Sequence, residues 1–284
     1  RWEAMGAGCC MLGSGVRPEH TWDLTRSYQE FATPKELKLI EKLRTRNSEL
    51  FDMEKKENRE MLLRIWKAAV PNADSPDLAK PHDRWKYIGF QNSRPETDFR
   101  AAGVTGLRHI TLFAEKNSKL LRQILAEGRY PWAAASINIT EICITHLKLR
   151  VPQPRMAPIP MDKIYNLQSF TWLAADAAKG KLPEEEPEMI ALDELHNLGL
   201  MMLDHLWNER MERDRSTNLL HFKQALMEAS AMLQHILNLA PTSVKELRNE
   251  FMKKLPPSYH SSLTSSSGTG ESKQPASTVI SQGE

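Results

Sequence analysis

Cysteine is scarce in this chain: Cys9, Cys10 and Cys143 are the three present in 284 residues. Three thiols cannot build a disulfide framework, and their spacing offers no set of four converging zinc ligands, so a reducing, cytoplasmic setting is the expectation. Charge of one sign is lacking too. With 38 Lys+Arg against 36 Asp+Glu the formal net charge is +2, which makes no electrostatic case for a dedicated nucleic-acid binder. No run of about 18 apolar residues occurs, so no membrane-spanning helix is expected. The glycine-rich stretch GAGCCMLGSG, residues 6–15, lacks both the Gly-Lys-Ser/Thr ending and the preceding strand of a nucleotide phosphate loop. There is no Gly-x-Ser-x-Gly elbow, no Cys/His pair suited to nucleophilic catalysis, and no set of metal ligands. What remains is 40% apolar and 26% charged residues, an ordinary composition for a globular chain with a sizeable core.

The apolar spacing is almost everywhere helical. Thr33-Pro34-Lys35-Glu36 reads as a helix start, with Thr33 as cap, Pro34 at the first helical position and Glu36 closing a capping box. Leu37, Ile40 and Leu43 follow on one face. Leu62, Ile65, Trp66 and Ala69 form a second helix that must stop before Pro71. Leu107, Ile110, Phe113, Leu120, Leu121, Ile124 and Leu125 predict two short helices or one bent one, ending at Gly128. The segment from Trp132 to Leu149 is apolar on more than one side and reads as a central helix of a bundle. VPQPRMAPIP, residues 151–160, is an extended connector. Three further helices follow, through Ile164, Leu167 and Trp172, through Leu192, Leu195, Met202, Leu206 and Trp207, and through Leu219, Leu226, Leu233 and Leu237. The acidic loop KLPEEEPE separates the first two. The fold class is therefore all-α, with a flexible segment over 1–32, a helical domain over 33–240, a short amphipathic helix over 241–256 and a disordered serine-rich tail over 257–284. Ser243 and Glu246 are spaced as a capping box for the amphipathic helix.

Among the titratable groups, Asp193 and His196 share a helix face as in carboxylate-bridged metal bundles, but the second carboxylate-histidine pair is missing. His196 then reads as a surface or half-buried histidine, and His146, His205, His221 and His235 as isolated ones. Trp66, Trp132, Trp172 and Trp207 stand at helical spacing and are expected in the core.

Two regions escape this pattern. Read from Met5, the chain begins MGAGCC, which puts Gly6 where N-myristoylation occurs and Cys9 and Cys10 where palmitoylation adds a second anchor to a membrane surface. Cys10 stands where that motif prefers serine or threonine, and an Arg1 internal to a longer chain removes the free amine the modification needs. The second region runs from Pro71 to Thr105 and is loop-like throughout, long for a compact domain. Within it Trp85 and Phe90 are apolar anchors, Gly89 permits a turn, Pro95 stiffens the approach, and Thr97 or Asp98 caps the chain or orients a guanidinium. A buried Phe99 would hold Arg100 at a fixed surface position. From Arg84 to Arg108 five basic residues face two acidic ones, which suits an anionic partner. The alternative is a clamp, with Arg100 pinned to Asp98 or Glu96.

Trp85, Gly89-Phe90-Gln91, Pro95 and Thr97-Asp98-Phe99-Arg100, followed by Gly103 and Leu107, resemble the signature W-x3-G-F-Q-x3-P-x-T-D-F-R of the ELMO (engulfment and cell motility) domain family. YPWAAASINIT, Tyr130 to Thr140, is similar to the family's Y-P-F-A-x-A-G-I-N-I-T segment. The resemblance implies an all-helical multi-helix domain around an irregular motif loop. It further implies, for short members, GTPase-activating action on Arf-family and Arf-like small GTPases through the arginine of T-D-F-R, here Arg100. Such a protein has no cofactor of its own, since GTP and Mg are held by the partner, and it binds no nucleic acid. Longer members are scaffolds for Dock exchange factors acting on Rac and generally lack that arginine, so a non-catalytic GTPase-binding or Dock-type module is the alternative. Pro241 to Leu255 faintly resembles a segment of the scaffold group. Where the family has glycine after the arginine this chain has Ala101, and a positive φ at that position would strain the presentation of Arg100.

Overall fold

The computed structural model describes residues 33–150, 161–182 and 186–264, with side chains omitted for 161–168 and 261–264. The 1–32 segment with Gly6, Cys9 and Cys10, the connector 151–160, and the tail from 265 onward lie outside the described residues.

Every described element is helical. α1 (Pro34–Asn47) opens on the expected capping box, in which the Thr33 hydroxyl accepts from Glu36 N–H and the Glu36 carboxylate accepts from Thr33 N–H at 2.7 Å. α2 (Lys56–Ala69) buries Leu62, Ile65, Trp66 and Ala69. α4 (Gly103–Lys116) and α5 (Ser118–Glu127) are two helices rather than one. Asn117 breaks them: its N–H still closes on Phe113 O, but its side-chain amide is drawn to Asn197 Oδ1 at 2.6 Å. Gly128 takes the left-handed cap at φ 59°.

α6 (Trp132–His146) and α8 (Ile190–Arg213) form the centre. α8 packs on α4, α6, α7 (Met161–Ala177), α9 (Phe222–Asn238) and α10 (Val244–Met252). It is buried nearly all round from Ala191 to Asp204, polar residues included. His196 is consequently 1% exposed, not a surface or half-buried residue. Its ring stacks on that of His109 at 4.4 Å, and its Nε2 lies 3.0 Å from Ser136 Oγ. Apolar spacing could not show this, because the groups that satisfy His196 come from α4 and α6. Trp172 departs in the opposite direction. It is 45% exposed, lying over the surface with its Nε1–H donated to Glu36 Oε1 at 2.9 Å.

The first eight residues of the expected tail, 257–264, also differ from expectation. α11 (Pro257–Thr264) is helical, and Tyr259 is buried within it with its hydroxyl donated to Asp204 at 2.7 Å. His260 adds a second tie, with its Nε2 3.0 Å from Leu255 O, and a compositional reading of a serine-rich tail averages both residues away. At α10 the capping box is shifted. Ser243 Oγ accepts from Glu246 N–H, while the Glu246 carboxylate reaches back one residue further, to Thr242 N–H at 2.7 Å.

Candidate functional site

The stretch from Pro71 to Thr105 lacks a period because its order comes from rings and turns. A short helix α3 (Arg84–Ile88) and a 3-10 turn over Pro95–Arg100 interrupt what reads as continuous loop. Trp66, Trp85, Phe90, Phe99 and Phe51 form an unbroken aromatic chain with successive ring centroids 5.0, 5.5, 5.9 and 5.2 Å apart. Such pairs add about 0.5–1.5 kcal/mol each beyond the area they bury. Four of the five rings are buried, and Phe51 caps the row half-buried at the surface.

Gly89 ends α3 at φ 99°, with its own N–H on Lys86 O and the Phe90 N–H on Trp85 O, the paired bonds of a Schellman cap. Space as well as conformation demands glycine there, since a Cβ would lie 2.3 Å from Trp132 N. In return Gly89 O accepts from Ala134 N–H at 3.1 Å. The two sequence signatures, separated by some forty residues, thus meet backbone to backbone. Gly103 plays a matching part at the other end of the loop. Its φ is 54°, a Cβ would lie 2.2 Å from Glu49 O, and that oxygen accepts from Val104 N–H at 3.0 Å.

Between these two fixtures lies the turn itself. Pro95 and Phe99 are buried, Gln91 is exposed, and Thr97 and Asp98 are partly covered. The Asp98 carboxylate accepts from Gln91 N–H at 2.8 Å, so the Gln91 backbone bridges the loop. Asn92 donates to Thr97 Oγ1 at 2.8 Å, and the Thr97 hydroxyl donates to Arg94 O at 2.9 Å. Burial raises the Asp98 carboxyl above the ordinary aspartate pKa, against the lowering influence of Gln91 N–H, Thr97 and the Arg100 charge. Arg100 is exposed and makes neither an ion pair nor a hydrogen bond among the described residues. Glu96 pairs instead with Arg94 at 3.5 Å, so the clamp to Asp98 or Glu96 does not form. Ala101 has φ −93°, an ordinary right-handed value, and the strain that a missing glycine would bring there is absent.

The basic excess of this region is smaller at the surface than in the sequence. Arg108 turns inward, donating through Nε and Nη2 to Asp193 at 2.8–3.1 Å and through Nη1 to Glu186. Arg46 extends that network to Glu49 and Glu186, both at 3.0 Å. His109 lies beside it, and burial together with the Arg108 charge holds its pKa down to about 3. Burial likewise holds His196 well below the ordinary histidine value, and the His109 ring adds to this. Among the described residues no group of three His, Cys, Asp or Glu side chains is placed to hold a metal, and no helix is long and apolar enough to cross a membrane. Sequence reasoning missed the Glu49–Phe51 segment, which carries no helical period; an aromatic just beyond a helix end is the one signal it offers.

The described residues form an all-helical domain that presents Arg100 on an exposed turn braced at both ends. The ELMO/CED-12 family model matches residues 41–241, and the chain belongs to that family. It is similar to ELMO domain-containing protein C of Dictyostelium discoideum, 26% identical over 220 residues, which are 77% of this chain and 33% of that protein. It is also similar to mouse ELMO domain-containing protein 2, 31% identical over 149 residues covering 49% of this chain and 50% of that one. Against human ELMO domain-containing protein 1 the identity is 37% over 92 residues, 32% of this chain and 26% of the other. The matches thus span between a quarter and a half of these relatives' length. No solved structure matches the chain.

Proposed function

We propose that this chain is a GTPase-activating protein for an Arf-family or Arf-like small GTPase, and that Arg100 is the residue it supplies. The single observation behind this reading is an exposed guanidinium that makes no hydrogen bond or ion pair among the described residues, held between buried Phe99 and the Glu49-seated Gly103. An arginine that serves structure is normally paired, as Arg108 is with Asp193 and Arg129 with Asp204. Arg100 is instead kept available on a backbone fixed at both ends. GTP hydrolysis develops charge on the transferring phosphoryl group, and a planar guanidinium neutralises it through two donors at once, which an ammonium does not reproduce. The backbone N–H of Gln91 on Asp98 keeps the turn shaped before the partner arrives, so little ordering remains to be done on binding. GTP and Mg belong to the partner in this scheme.

The test is single-turnover GTP hydrolysis by a panel of purified Arf-family and Arf-like GTPases with and without the chain. Acceleration by roughly 10³- to 10⁵-fold is the scale for a supplied arginine, and Arg100→Lys is expected to abolish it while melting temperature and GTPase binding persist. Arg100→Lys as active as wild type refutes the catalytic role. Binding without acceleration across the panel favours the non-catalytic or Dock-type scaffold reading.

A further inference from the structure

We infer that Phe51 is a positioning residue for Arg100: it holds the neighbouring Phe99 ring, and with it the backbone that carries the guanidinium, and so sets the rate of hydrolysis without binding the partner. This rests on the reading above and deepens it.

Phe51 belongs to the stretch between α1 and α2 that carries no helical period, yet the backbone is tied down on either side of its ring. Upstream, Glu49 O accepts from Val104 N–H at 3.0 Å, and the Glu49 carboxylate pairs with Arg46 at 3.0 Å. Downstream, Asp52 O accepts from the side-chain amide of Asn58 at 2.8 Å, and Asn58 is 2% exposed on α2. A buried amide needs a partner, and the loop carbonyl that supplies it is fixed in turn. The next carbonyl, Met53 O, accepts from Arg59 Nη1 at 2.9 Å. Residues 49–53 thus form a strap pinned to α1, α2 and α4.

The strap meets the arginine turn at two points. Phe51 stacks on Phe99, the residue before Arg100, with centroids 5.2 Å apart and 22° between the rings. Glu49 O lies over Gly103, three residues after Arg100, only 2.2 Å from the position a Cβ would take. Phe90 meets Phe99 edge-on at 5.9 Å and 64°, so Phe99 is gripped by one ring from the motif loop and one from the strap. Phe51 is itself only partly buried and ends the aromatic row. A half-covered ring there adds little to the core; what it adds is the orientation of Phe99. Arg100 has no ion pair or hydrogen bond among the described residues to steady its side chain, so its reach is set by its own backbone. An arginine that acts on a partner's phosphoryl group works by placement, and a displacement of about 1 Å can cost about 100-fold in rate.

The experiment is a titration of the chain in the hydrolysis assay, with the GTPase that responds best to wild type, separating the half-saturating concentration from the maximal rate at a temperature well below unfolding. Phe51→Ala is expected to lower the maximal rate about 10- to 100-fold, with half-saturation within about twofold. Phe51→Tyr keeps the ring and should restore most of the rate. Phe51→Leu keeps apolar bulk without the flat ring; it should fall between the two, and it is read in place of the alanine variant if that one does not fold. Met252→Ala controls for a lost apolar contact elsewhere, since Met252 is partly buried on α10, which packs on α7, α8, α9 and α11, and it should change neither parameter. An unaltered rate in Phe51→Ala and Phe51→Leu, or no recovery in Phe51→Tyr, overturns the inference and leaves the arginine reading standing. A raised half-saturating concentration also overturns it, because Phe51 would then be touching the partner. If the wild-type chain accelerates no GTPase, the arginine reading falls first, and amide hydrogen exchange of the free chain decides the positioning role by itself. Exchange over residues 97–104 should quicken at least about tenfold in Phe51→Ala and not in Met252→Ala; equal exchange in the two overturns it.

Discussion

Replacing Gly89 by alanine tests whether the motif loop is built against α6 as described. Three contributions follow from the geometry. At φ 99° an alanine occupies a region that costs an L-residue about 1–2 kcal/mol. Its Cβ would lie 2.3, 2.7 and 2.8 Å from backbone atoms of Trp132, Pro131 and Ala133, and backbone atoms do not rotate aside. Moving α3 off the start of α6 is an overpacking strain of about 1–3 kcal/mol. That same movement lengthens the hydrogen bond from Ala134 N–H to Gly89 O, worth about 0.5–1.5 kcal/mol. Because the last two contributions relieve each other, a total of about 2–5 kcal/mol is expected. At roughly 2–4 °C per kcal/mol for a domain of this size, the melting temperature should fall by about 5–20 °C. Differential scanning calorimetry of wild type, Gly89→Ala and Gly128→Ala reads this directly. The third protein is the control: Gly128 also has positive φ, but a Cβ there meets nothing within 4 Å, so the backbone contribution of about 1–2 kcal/mol remains by itself. Equal melting temperatures for the two variants would refute the close approach of the two signature segments.

Two further outcomes follow from buried polar groups. Tyr259→Phe removes one donor from Asp204, which is 0% exposed and held otherwise by Arg129 at 2.8 Å and Asn208 at 3.3 Å; thermal unfolding should show a loss of about 1–3 kcal/mol, and deletion from Pro257 should cost at least as much, whereas an unchanged melting temperature in both would mean that α11 contributes nothing. His109, at about 3 in the folded chain, and His196, held well below the ordinary value near 6.5, take up protons on unfolding as pH falls through that ordinary value. Stability therefore falls as pH falls, and between pH 7.5 and 5.5 urea unfolding should lose about 1–3 kcal/mol for the two rings together; a flat profile over that range would mean that they are accessible to protons in the folded state.

Local signals in the sequence determined the helices. Apolar residues at three- and four-residue spacing place α1, α2, α4, α5, α8 and α9; Thr33 with Glu36 marks the first cap; and two signature segments, with Arg100 in one of them, mark the family and the candidate site. These features need only neighbours a turn away, so they are written in short stretches of chain. What Gly89, Gly103 and Arg100 do is not written there. The oxygen that requires Gly103 belongs to Glu49, the backbone that requires Gly89 belongs to Trp132, and the ring that covers Phe99 belongs to Phe51. His196 is buried because α4 and α6 bring His109 and Ser136 to it, Trp172 is exposed because its indole finds Glu36 across the surface, and Ala101 is unstrained because the positive φ falls two residues later. Each of these was decided by residues far apart in the chain and adjacent in space, and such contacts leave no period in the sequence from which to read them.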